Sequence, residues 1–354
     1  MALLLDGAAA GQRPLTPEVG RLSAIAADPA ASLADRLEAF EDIISLDVGD
    51  TNLTRARNLE REHDLRQVFL KYEGDNPTGT QKDRIAYAQA HDALRRGYDT
   101  VVAATCGNYG VAVASACALA GLRCEVYIPA AYHTERAGEM ERLGAHVNYL
   151  DGTYEEVVEA SGEIARARRW YDSNPGGSNT PLQLAAYAQI AFEIYDQLRD
   201  APRCLAAPVS NGTLLAGVHR GFVTLYKRGK TSRIPHFIAG SSSRKNPIVT
   251  SFLKGHDHIQ DLDPASIRET RTNEPLINWH SFDGAEALHA LRSTAGHAAH
   301  CSDAAMKRMS SYLKKQDGLS VLPASTAGLL ALLQLHEKQP LGGDRYVVLV
   351  TARG

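Results

Sequence analysis

From Asp99 the chain alternates between short apolar runs and longer segments whose apolar residues recur at helical spacing. "DTVVAAT", "CEVYIPA" and "HVNYL" predict strands. Between and after them, "GNYGVAVASACALAGL", "TERAGEMERLGA" and "TYEEVVEASGEIARARRW" predict helices. "GGSNTP" punctuates the chain, "LQLAAYAQIAFEIYDQL" predicts a long helix, and the alternation resumes. There "CLAAPV", "PHFIAG" and the terminal "YVVLVT" read as strands, and "SNGTLLAGVHRGFVTLYKRG" as a glycine turn feeding a helix. Neighbouring parallel strands need crossover connections, so this order predicts an α/β fold of parallel sheets flanked by helices. Ahead of it, "SLADRLEAFEDII" reads as a packing helix capped by Ser32. Periodicity weakens between Ser241 and Asp283, which predicts a loop-rich stretch.

The 354 residues suffice for two modest domains or one large one. Charges nearly balance, with 38 Lys+Arg against 41 Asp+Glu and no basic block, which argues against nucleic acid or an anionic membrane surface and for a small-molecule partner. The five cysteines, Cys106, Cys117, Cys124, Cys204 and Cys301, are scattered without the CxxC spacing of zinc or redox sites. No metal is expected, and a reduced, cytoplasmic chain is. The opening "MALLLDGAAAG" lacks a basic region before its three leucines, and no apolar run approaches the ~18 residues of a membrane span, so neither export nor insertion is expected.

The stretch "GDNPTGTQKDR" carries the candidate chemistry. Gly74 and Gly79 have the spacing of a nucleotide P-loop, but Thr80 and Gln81 intervene before Lys82, and no GxGxxG occurs. Lys82 instead joins a set of turns that open helices: "TCGNYG", "SNGTLL" and "PASTAGLLAL". Helix N-termini present unpaired N–H groups and a positive dipole end to phosphate or carboxylate. A hydroxyl, Thr351, closes the last strand.

In order and spacing, "KYEGDNPTGTQKDR", "TCGNYGVAVAS", "YDSNP", "AAYAQIAFEIYDQL", "PVSNGTLLAGVHRGF" and "SVLPASTAGLLAL" resemble the fold-type II enzymes dependent on pyridoxal 5'-phosphate (PLP), and within them the threonine synthases. The resemblance runs from about Lys71 to Thr351 and implies the two-domain, tryptophan synthase beta-like architecture. It implies that Lys82 carries PLP as a Schiff base and later moves protons, and that Asn108 contacts the ring hydroxyl. Thr105, Cys106, Gly107, Asn108 and Tyr109, with Ser173 and Asn174, would bind the substrate and its carboxylate. Ser210, Asn211, Gly212, Thr213 and Leu214 would hold the cofactor phosphate, with a further donor from the Thr213 hydroxyl. Thr351 would meet the ring nitrogen, which favours a neutral pyridine.

The resemblance implies a small amino-acid substrate, a homodimer, and elimination or replacement on a side chain, with conversion of O-phosphohomoserine and water to threonine and phosphate foremost. A β-elimination or β-replacement enzyme of the dehydratase or cysteine-synthase kind is the alternative, and a PLP carrier without turnover a more distant one. Several positions depart from the family pattern. Cys106 replaces a hydroxyl, Ser210 a glycine, Ala352 a glycine, and Gly177 the arginine that helps hold the substrate phosphate. Lys71, Arg84, Arg244 and Lys245 are the nearest alternative cations, read as solvated surface charges, and Tyr132 and His133 as a surface loop. The expected division sets a large PLP-binding domain of residues 1–84 and 176–354 against a small substrate-carboxylate-binding domain of residues 85–175.

Overall fold

The computed structural model describes residues 14–105, 107–132, 134 and 136–354. The readings of the first thirteen residues, of Cys106 and of His133 therefore lie outside the described residues. Two helices come first, α1 (Pro17–Ala26) and α2 (Leu33–Asp47). Each has a hydroxyl cap: Thr16 accepts from the Val19 N–H and Ser32 from the Asp35 N–H. Strand β1 (Leu53–Arg55), helix α3 (Arg57–Glu62), strand β2 (Val68–Tyr72) and helix α4 (Lys82–Arg95) follow. The first alternation is β3 (Thr100–Ala104), α5 (Asn108–Ala120), β4 (Arg123–Pro129), α6 (Ala137–Arg142), β5 (His146–Leu150), α7 (Tyr154–Arg168) and β6 (Tyr171–Asp172). After α8 (Thr180–Leu198) come β7 (Cys204–Pro208), α9 (Thr213–Lys227), β8 (His236–Ser242), α10 (Pro247–Leu253), α11 (Gly284–Ser293), β9 (His297–Cys301), α12 (Asp303–Asp317), α13 (Ala327–Lys338) and β10 (Tyr346–Val350).

The chain forms two compact units. One holds residues 14–49 and Asn76–Gln183 around a four-stranded sheet in the order β5-β4-β3-β6, parallel throughout. Helix α5 is built almost wholly from small residues and is buried nearly all round. Its C-terminus explains why α1 and α2 belong to this unit. The Ser23 hydroxyl donates to the Leu119 carbonyl, and the Arg36 guanidinium donates to the carbonyls of Ala26 and Ala120, satisfying the ends of two helices at once.

The other unit holds Asp50–Asp75 and Leu184–Gly354 around a six-stranded sheet, β1-β2-β10-β7-β8-β9, in which only β1 runs antiparallel. Its core joins Val68, Leu70, Ala206, Ile238 and Val348 from the strands to Leu329, Leu332 and Leu333 of α13. Two glycines bring that helix close. A Cβ at Gly240 would lie 1.9 Å from the Ala327 carbonyl oxygen, and one at Gly328 would lie 2.7 Å from the backbone of Ala207.

The fold class matches the expectation. The division of the chain falls elsewhere than residues 1–84 and 176–354 against 85–175, because α1 and α2 pack on α5 and because the loop before α4 is tied to Gly49 through Asn76. The stretch between Ser241 and Asp283 contains α10, started by Asn246 and Pro247. Lys71 is not a solvated charge. It is fully buried, its Nζ 2.6 Å from both Glu193 Oε2 and the Thr51 carbonyl. Arg84 is also buried, whereas Arg244 is exposed and Lys245 donates to the Arg268 carbonyl.

Candidate active site

The residues singled out in the sequence fall into two groups, one in each unit. In the unit of the four-stranded sheet, Lys82 is the first residue of α4 and is half-buried. The loop before it is held from both sides. Asn76 accepts from the Gly49 N–H, and the Asp83 carboxylate accepts from the Thr78 N–H at 2.9 Å and the Thr78 hydroxyl at 2.6 Å. Burial pushes the Asp83 carboxyl up to about 7, with the Thr78 and Thr80 hydrogen bonds and the Arg136 charge pulling against it. A lysine beside so fixed a carboxyl has a defined starting point for its stem, and its Nζ lies 5.5 Å from the centroid of the Tyr109 ring.

Tyr109 is the second residue of α5, and its ring therefore lies beside Lys82. Its hydroxyl donates to the Ser173 carbonyl at 2.6 Å and accepts from Gln89 at 2.7 Å, and burial raises the phenol well above its ordinary range. The Thr105 hydroxyl accepts from the Gly107 N–H, and Asn108 opens α5 with no side-chain cap beneath it. An uncapped helix start in this place offers N–H groups to a carboxylate. Gly110 lets the turn close: a Cβ there would meet Met140 at 2.6 Å and Thr105 at 2.8 Å. Ser173 and Asn174 hold the framework instead of facing outward. The Ser173 hydroxyl donates to the Val102 carbonyl, and Asn174 accepts from the Ala104 N–H while its amide donates to Ser161.

Arg136 carried no sequence signal and stands in this group. Its guanidinium donates to Asn108 Oδ1 and pairs with Glu139 at 2.9 Å. The contact fixes the Asn108 amide with its carbonyl oxygen toward Arg136, which directs the NH2 away from it.

In the other unit, β7 ends at Pro208 and residues 209–212 turn into α9. Gly212 has φ +96°, and a Cβ there would lie 2.8 Å from Ala287 Cβ and 2.9 Å from the Asp283 carbonyl oxygen. Only glycine fits that turn. Helix α9 has no side-chain cap, and its backbone bonding begins with the Ala216 N–H to the Gly212 carbonyl. The preceding N–H groups of its first turn suit a phosphate. The Thr213 hydroxyl donates to the Asp283 carboxylate, so its single proton does not add the further phosphate donor that the sequence suggested, and the Leu214 side chain is buried.

Two asparagines support the turn from behind. Asn246 donates to the Ser210 carbonyl and to Asn278 Oδ1, and Asn278 donates to Asn211 Oδ1. Asn246 also caps α10, in a stretch the sequence suggested was loop-rich, and its second duty to Ser210 needed the fold. Thr351 follows β10 and is buried, with its hydroxyl 3.0 Å from that of Ser325. Each group has chemistry that fits PLP: in one unit a half-buried lysine and the Asn108 amide, in the other an uncapped helix start after a glycine turn and the buried Thr351 hydroxyl. No group of three or more His, Cys, Asp or Glu that could hold a metal occurs among the described residues.

A family model described as pyridoxal-phosphate dependent enzyme matches residues 44–352, and the chain belongs to that family, whose cofactor is PLP. Similar curated proteins include the threonine synthase of Methanocaldococcus jannaschii, 28% identical over 87% of this chain and 75% of its own length. The threonine synthase of a Synechocystis is 29% identical over 87% and 77%. Among solved structures, a threonine deaminase from T.th. superposes with a TM-score of 0.70 at 20% identity over 90% of this chain and 97% of its own. Maize serine racemase gives 0.70 at 17% identity over 90% and 93%. The structural likenesses establish the fold-type II architecture.

Proposed function

We propose that this chain is a threonine synthase that converts O-phosphohomoserine and water to threonine and phosphate. The observation that carries the reading is the placement of Lys82 Nζ beside the Tyr109 ring, and so beside the uncapped start of α5, in a chain whose curated relatives bear that name over most of their length. When bound, PLP supplies the electron sink that lets bonds next to an amino acid's Cα break heterolytically. Lys82 would anchor it and would remove and return protons at the substrate's carbon atoms. The backbone at Thr105–Tyr109 holds the substrate carboxylate. The backbone N–H groups at Ser210–Leu214 would hold the cofactor phosphate, the Asn108 amide would donate to the ring hydroxyl, and Thr351 would meet the ring nitrogen.

A second reading, β-elimination or β-replacement on a non-phosphorylated amino acid, is favoured by Gly177. A Cβ there would meet nothing nearer than 3.8 Å, so packing does not exclude a side chain, yet no guanidinium stands in that place to grip a phosphate. Purified, PLP-loaded protein offered O-phosphohomoserine, serine and O-acetylserine in turn separates the two. Phosphate and threonine released from the first alone support the synthase, with the Lys82→Ala variant slower by roughly 10²–10⁴-fold or more. Turnover of serine or O-acetylserine, with none of O-phosphohomoserine, moves the chain to β chemistry.

A further inference from the structure

Ser325 lies in the turn Pro323–Thr326 ahead of α13, a stretch to which the function above gives no role. It is 1% exposed, and its hydroxyl has two contacts: Thr351 Oγ1 at 3.0 Å and the Ala352 carbonyl at 3.4 Å. The hydroxyl of Thr351 pairs with Ser325 among the described residues. Each hydroxyl owns one proton and can accept at its lone pairs, so this short chain has two polarities.

In one polarity Thr351 gives its proton to Ser325, which gives its own to the longer contact at Ala352. In the other, Ser325 gives its proton to Thr351, and the Thr351 proton turns away from the chain. With an acceptor beyond Thr351, the second polarity makes two hydrogen bonds in series, and each polarises the next. Both polarities use the 3.0 Å contact, and the second replaces the long 3.4 Å bond to the Ala352 carbonyl with one to that acceptor.

We propose that Ser325 is a positioning residue that holds Thr351 as a hydrogen-bond donor and thereby keeps the pyridine nitrogen of PLP unprotonated. The proposal rests on the assignment of Thr351 to that nitrogen. Ser325 itself needs no contact with the ring. Its effect passes through one hydroxyl, so it must vanish when that hydroxyl is removed.

The test uses protein reconstituted with PLP labelled with 15N in the ring, followed by 15N NMR through the neutral pH range, together with PLP affinity. The wild-type line is expected at the unprotonated position. Ser325→Ala should move it toward the protonated position at the acid end of the range and weaken PLP binding by roughly 2- to 10-fold, the effect of one hydrogen bond. Ser325→Cys keeps the volume with a weaker donor and should fall between, which also covers an alanine variant that does not fold. In a Thr351→Val background, Ser325→Ala should change neither the line nor the affinity further. Ser325 variants that superpose on wild type while Thr351→Val shifts the line would overturn the role of Ser325 alone. A line unmoved by Thr351→Val would overturn the assignment of Thr351 as well.

Discussion

Asp83 carries a cost that the lysine beside it does not show. Its carboxyl is fully buried, and burial raises it to about 7 against an unfolded value near ~3.9. Between those values the folded chain binds a proton that the unfolded chain has released. The stability this group contributes is therefore complete in acid and lost as pH rises toward 7, with a slope of at most about 1.4 kcal/mol per pH unit. Asp83→Asn mimics the protonated acid, since an amide can still accept from the Thr78 N–H or donate to its hydroxyl. Urea unfolding at a series of pH values should show that slope in the wild type and its loss in the variant. Parallel pH profiles for the two would contradict the burial argument. Lys82 was legible because its surroundings in the chain are distinctive. Asp83 and Arg136 were not: one is important because it is enclosed, and the other because the fold returns it to Asn108 across a separation of 28 residues.

Lys71 shows how an element can be tied down by a charge. It sits on β2, and its Nζ meets Glu193 of α8 while donating to Gln197 and to the Thr51 carbonyl, so strand, helix and loop share one ammonium. Breaking such a pair by removing one partner leaves the other charge buried. Lys71→Met should destabilise the protein by roughly 3–5 kcal/mol, and adding Glu193→Leu should recover part of that loss. Chemical denaturation of the two variants checks this, and a single variant as stable as wild type would mean that Glu193 finds water. The predicted strands at β3, β7, β8 and β10 were legible because they are largely continuous apolar runs, as expected where both faces of a parallel sheet are covered, whereas β5 lies at the sheet edge and has no fully buried residue. Strand β9, with two histidines among its five residues, and the three-residue β1 carry no such run and take their form from neighbours. Helix α6 is shorter than its apolar spacing suggested, with six residues between Ala137 and Arg142.

For the molecule as a whole, the order of motifs predicted both the architecture and the cofactor, because a site assembled from many segments leaves its trace in their sequence. The grouping of those segments was less legible. Which unit α1 and α2 join depends on hydrogen bonds such as Arg36 to Ala120, and polar anchors of that kind have no periodicity. No helix among the described residues is long and apolar enough to cross a membrane. The claim on which the account turns is that Lys82, and no other lysine, holds the cofactor. Borohydride reduction of the PLP-loaded protein, followed by proteolysis and mass spectrometry, tests it directly. The account predicts a reduced phosphopyridoxyl label on the peptide containing Lys82 and no label in Lys82→Ala. Label on another lysine, or a fully labelled Lys82→Ala protein, would contradict it.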